Sequence, residues 1–70
     1  MSVSLIKSYV SPAAAAGREV YLPGGRAVFV REALSDHHGS VLLRVVVSSG
    51  RSFGERFTTC QPASAHLPLA

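Results

Sequence analysis

Four groups of residues in this chain carry side chains able to do chemistry. Asp36-His37-His38 offers a carboxylate and two imidazoles, donor types found in divalent-metal sites. Consecutive side chains in a loop diverge, however, whereas chelating pairs usually sit about two to five residues apart on one element. With four acidic residues in the whole chain, the further carboxylates of a metal-dependent hydrolase are hardly to be found. The triplet therefore reads as a polar turn, and no metal site is expected.

Cys60 and His66 could supply a nucleophile and a base. Such a pair needs a third orienting group, oxyanion donors and a pocket, and a chain of 70 residues shows none of these. Free cysteine is among the most buried residue types, so Cys60 is expected to be buried and inert at a strand end. As the lone cysteine it can form no intramolecular disulfide. Pro23-Gly24-Gly25-Arg26 has the glycines of a phosphate-cradling loop. Such a loop leads into a helix N-terminus, and here the chain continues into Val28-Phe29-Val30, a strand pattern. It reads as a hairpin turn.

The arginines form the fourth group. The formal charge of +3 rests on six arginines and one lysine against four acids, and the arginines at 18, 26, 31, 44, 51 and 56 are scattered singly. A small β-barrel can bind a single strand by stacking bases on surface aromatics beside positive charge. Arg26, Arg31, Arg44, Arg51 and Arg56 are the candidates for that role, with Tyr9 and Tyr21 as stacking platforms. Phe29, Phe53 and Phe57 lie among valines and leucines and are expected in the core.

The elements that must position these residues follow from apolar periodicity. Met1 to Val10 alternates with a change of parity near Lys7, the mark of a strand with a bulge. Ser11-Pro12-Ala13-Ala14-Ala15-Ala16-Gly17 carries a capping serine, a proline at the first helical position and a glycine stop, which predicts a one-turn helix near 11–17. Arg18 to Leu22 and Arg26 to Glu32 form a hairpin about the Pro23-Gly24 corner, and Ala33 to Ser40 reads as a polar loop. Ser40 to Ser48 is apolar on both parities apart from Arg44, so it is expected to be covered on both faces, either centrally or against another chain. A tight Ser49-Gly50 turn then returns the chain as a strand over Ser52 to Cys60. That register sets Val46 opposite Phe53 and Arg44 opposite Glu55, an ion pair worth about 0.2 to 1 kcal/mol.

The fold expected is all-β: about five antiparallel strands in a meander, forming a small barrel or two-layer sandwich. Residues 1–60 make a single β domain, and 61–70 an extended C-terminal arm whose Leu67 and Leu69 are candidate partner-binding residues. A core this small leaves a thin stability margin, and disulfides and structural metal are both out of reach, so association is the remaining support. With 47% apolar and 16% charged residues, a homo-oligomer or larger assembly is expected.

The functional expectation is a non-enzymatic structural or interaction module acting as a repeated subunit, such as a minor component of a phage virion or other protein shell. The small nucleic-acid-binding barrel is the alternative. No cofactor and no small-molecule substrate are expected. No apolar stretch approaches the roughly 20 residues of a membrane span, and none resembles the apolar region before a secretory cleavage site. The expected location is cytoplasmic, or within a virion.

Overall fold

The computed structural model describes residues 8–70, and among them the chain is mostly β with a single 3-10 turn. The strands are β1 (Tyr9–Val10), β2 (Glu19–Tyr21), β3 (Ala27–Ser35), β4 (Ser40–Val47), β5 (Arg56–Pro62) and β6 (Leu67–Pro68). Strands β2 to β5 form an antiparallel meander in the order β2-β3-β4-β5, and β1 pairs with β6 as a separate ribbon. The sheet does not close into a barrel. The strand expected over Met1 to Val10, with its bulge near Lys7, lies outside the described residues up to Lys7; beyond it, Tyr9–Val10 is strand.

Alternation decides which face of the meander is the core. Val41, Leu43, Val45 and Val47 of β4 are buried, and across them stand Val28 and Val30 of β3. Val20, Leu22, Ala15 and Leu67 complete the cluster, with Val10, Ala33, Phe57 and Leu69 packed against it. The segment before β2 contributes a 3-10 helix over Pro12–Ala14, which packs on β3 and β4. Proline sits at its start as the sequence predicts, but the Ser11 hydroxyl makes no capping bond; the Ser11 carbonyl instead accepts from the Ala14 N–H at 3.0 Å.

The first hairpin follows its turn chemistry. Gly25 N–H donates to the Leu22 carbonyl at 2.9 Å, with Pro23 at the first corner and Gly24 at φ +101° at the second. Strand β3 then runs three residues past Glu32, through much of the stretch expected to be loop. A bulge between Val30 and Glu32 makes this possible. It inserts Arg31 as an extra residue and shifts parity, so that Val30 and Ala33 both face the core.

The second hairpin departs from expectation. Val46 pairs with Arg56, Val45 with Phe57 and Arg44 with Thr58, so Arg44 does not face Glu55 and Phe53 is not in a strand. Residues 48–55 form a longer loop, closed by the Gly54 N–H donating to the Val47 carbonyl and the Val47 N–H to the Glu55 carbonyl, at 2.9 and 2.8 Å. The shift of three residues moves Phe57 from the outer face to the core face. Fully burying such an aromatic is worth about 1.5 to 3 kcal/mol, so the partial burial of Phe57 gives roughly half of that, against about 0.2 to 1 kcal/mol for an exposed cross-strand ion pair. Packing outweighs charge here.

The C-terminal residues are part of this domain rather than an arm standing away from it. Leu67 is 1% exposed within its own chain's core. Leu69 is partly buried, bridges to Val20, and its N–H donates to the Ser8 carbonyl, while the Ala70 N–H donates to the Glu19 carbonyl. A short apolar segment with a free sheet edge beside it pairs with that edge. The expectation of Leu67 and Leu69 as residues reaching a neighbour gives way to this packing.

Candidate interaction surface

The outer face of the meander is where the described residues leave apolar side chains uncovered. Its composition follows from register. One row across the sheet reads Glu19, Phe29, Val46, Arg56, one residue from each of β2, β3, β4 and β5. The next reads Glu32, Arg44, Thr58, and the third Leu34, Leu42, Cys60. Phe29 is 40% exposed, Leu34 42% and Tyr21 41%, and Leu42 and Val46 are half-buried. Apolar residues thus form two pairs along β3 and β4, Phe29 with Val46 and Leu34 with Leu42, separated by the Glu32–Arg44 row, while Glu19 and Arg56 lie at the rims. The double apolar parity of β4 has its counterpart here: one parity fills the core, and the other lies on the open side.

The electrostatics of this face are mixed. Arg44 Nη1 lies 3.3 Å from Glu32 Oε1, the two standing directly across β3 and β4 with both side chains about half exposed. Arg44 therefore has a carboxylate partner, but it is Glu32 rather than Glu55. Glu19 and Arg56 stand at opposite ends of their row.

The remaining candidates are spread apart. Arg31 is the extra residue of the β3 bulge, and Arg51 lies in the exposed loop after β4. Arg26 lies over the Phe57 ring, its guanidinium carbon 5.6 Å from the centroid, a cation–π contact. These two residues, with Leu22, Pro23, Gly24, Thr59 and Gln61, line a cavity of about 330 Å³ beside the first hairpin. Its amide and hydroxyl are already engaged with each other, Gln61 Nε2 donating to Thr59 Oγ1 at 3.1 Å. Of the five arginines considered for nucleic acid, the fold brings Arg44 and Arg56 onto one face, with Arg31 exposed at the bulge next to Glu32, while Arg26 and Arg51 lie at the β2–β3 and β4–β5 connections.

Two burial expectations are overturned. Phe29 and Phe53 are exposed, Phe53 by 73%, because the first points outward from β3 and the second sits in the loop. Cys60 is exposed, since it shares the outer parity of β5 with Arg56 and Thr58. Cys60 and His66 lie on either side of the turn between β5 and β6, both open to solvent.

Asp36, His37 and His38 form the β3–β4 turn. Asp36 Oδ1 accepts from the His38 N–H at 2.7 Å and the Ser40 N–H at 3.0 Å, while the His37 N–H donates to Ser35 Oγ. Those amides, His38 first, hold the Asp36 carboxyl below its usual range. The carboxylate is occupied in shaping the turn, in which His37 takes φ +62° and Gly39 +93°. Among the described residues, no three His, Cys, Asp or Glu side chains gather as a metal site would require. Among the same residues, no helix is long and apolar enough to cross a membrane.

In comparisons with protein families, curated proteins and solved structures, nothing matches this chain. The outer face carries the argument about function by itself. Phe29, Val46 and Leu42 were legible as apolar strand residues, whereas Leu34 fell in the stretch expected to be loop, and the facing of all four depended on the Arg31 bulge and the β3–β4 register. Glu19 gave no signal beyond its charge.

Proposed function

We propose that this chain is a non-enzymatic interaction module that works as a repeated subunit of a protein assembly. The observation that supports the reading is the outer sheet face, where the pairs Phe29–Val46 and Leu34–Leu42 flank the Glu32–Arg44 ion pair, with Tyr21 nearby and no described element of the chain over them. Exposed apolar residues interspersed with polar and charged ones are usual in non-obligate protein interfaces. The small core adds a motive, because a domain of this size gains a large share of its stability when a second surface is covered. A minor component of a phage particle or another protein shell is the setting that such a subunit would serve.

A second reading, a small nucleic-acid-binding domain, draws on Tyr21 and Phe29 as exposed aromatics on the face that bears Arg44 and Arg56. Glu19 and Glu32 interleave with those arginines and would repel phosphates, which weighs against it. Sedimentation and heparin chromatography separate the two. Self-association at micromolar concentration that persists at high salt supports the assembly module. A monomer retained on heparin or DNA with a steep salt dependence overturns it in favour of the second reading.

A further inference from the structure

From the order of charges across the outer face we infer that this face packs against the same face of a second copy, about a two-fold axis parallel to the strands and midway between β3 and β4. The inference rests on the assembly reading and names its partner and geometry. In the row Glu19, Phe29, Val46, Arg56 the acid is on β2, the base on β5, and the apolar pair lies between. The two-fold sets β2 over β5 of the second copy and β3 over its β4. Glu19 then meets Arg56 of the second copy, Phe29 meets its Val46, and both contacts occur twice.

The other rows obey the same rule. Glu32 on β3 meets Arg44 of the second copy, and the ion pair already formed within each sheet stacks head to tail on its symmetry mate. Leu34 meets Leu42 of the second copy. A two-fold perpendicular to the strands and lying on the first row would instead set Glu19 on Glu19 and Arg56 on Arg56. Charge therefore selects between the two symmetric packings, which the apolar residues alone would leave close in energy. Glu19 and Arg56 are three strands apart, roughly 14 Å at the usual strand spacing, so their complementarity has no use within one chain.

Two sheets packed face to face in this way sit about 10 Å apart with nearly aligned strands. Four strands of about six residues present roughly 400 Å² of sheet per copy, about 800 Å² in total, which is below the roughly 1,200 to 2,000 Å² of stable interfaces and in the range of weak ones. The dimer is accordingly expected in the micromolar range.

The test is a charge exchange between the two ends of the row, followed by analytical ultracentrifugation of the full chain. Glu19→Arg and Arg56→Glu should each weaken self-association roughly tenfold or more, since two attractive contacts become repulsive. Mixed in equal amounts, these two variants should associate with each other as tightly as the wild type does with itself, and the double variant should also recover. Phe29→Lys, at the centre, should abolish association in every combination. All the substituted residues are exposed, so thermal melting of dilute samples should stay near wild type. If the wild type is monomeric, the assembly reading itself falls. If it associates but the single variants are unaffected, or the mixture fails to rescue them, assembly stands and this face is overturned in favour of another, such as the open edge of β5.

Discussion

Replacing Leu67 with alanine should cost this domain about 2 to 5 kcal/mol, although the residue stands fourth from the chain's end in a two-residue strand. Leu67 is 1% exposed and belongs to the core cluster with Val20, Val28 and Val30. Truncating a fully buried leucine costs about 2 to 5 kcal/mol, the larger values where the surroundings do not collapse into the cavity. A domain of this length has a total stability of about 3.5 to 10 kcal/mol at the usual range per residue. Leu67→Ala should therefore remove between a fifth of the stability and all of it, and deletion of residues 67–70 should remove more, because the β1 pairing and the Val20–Leu69 bridge go too. Urea denaturation followed by circular dichroism reads this directly as a lowered midpoint with an unchanged slope. Phe53→Ala is the control: a larger side chain, exposed in the β4–β5 loop, whose loss should change stability by less than about 0.5 kcal/mol. A Leu67→Ala protein within about 0.5 kcal/mol of wild type would refute the placement of β6 and restore the picture of a tail free to reach a neighbour.

Three further outcomes are expected. A double-mutant cycle between Arg44 and Glu32 should give a coupling of about 0.2 to 1 kcal/mol that fades with salt, and the same cycle between Arg44 and Glu55 should give none; the reverse result would restore the sequence-based register. Asp36 contributes stability that is present above its unfolded pKa near 3.8 and lost as the pH falls through its lower folded value. Asp36→Ala should flatten the acid limb of the stability profile in that window, and an Asp36 carboxyl titrating by NMR at or above the unfolded value would contradict the turn geometry. The Cys60 thiol should react with a water-soluble thiol reagent in the folded protein as fast as in denaturant, whereas strong protection would place it under cover.

The parts of the fold that were legible in the sequence are those fixed by local chemistry. Pro23-Gly24 specifies its corner because proline presets φ and glycine accepts the positive φ that follows. Ser40 to Val47 is a strand because its β-branched residues leave it little else. Register was not legible, since it depends on which face a side chain reaches once the whole sheet is assembled. Arg31 gives no local sign that it will be a bulge, yet that one extra residue carries β3 through Ser35 and turns Leu34 outward. The β4–β5 hairpin contains Ser49-Gly50, a legitimate turn, but also Gly54, which takes φ +88° and closes the longer loop the protein uses. The destination of Leu67 was hidden for the same reason: a two-residue strand has no periodicity to read.

The candidate surface is a consequence of that register. Had β5 paired as charge alone suggests, Phe57 would lie on the outer face across from Leu42, and Arg56 would lie on the core side across from Leu43. The core face would lose an aromatic and take up a guanidinium at a half-buried position, a costly exchange without a carboxylate partner, and no charged side chain is buried among the described residues. Placing Phe57 inward therefore fixes Arg56 outward on the first row, at the far end from Glu19. The same register sets Thr58, rather than another arginine, beside Arg44. A face with Glu19, Glu32, Arg44 and Arg56 ordered acid to base across the strands presents little net charge to a polyanion. To its own copy, turned about the strand direction, it presents the opposite sign at each of these four positions.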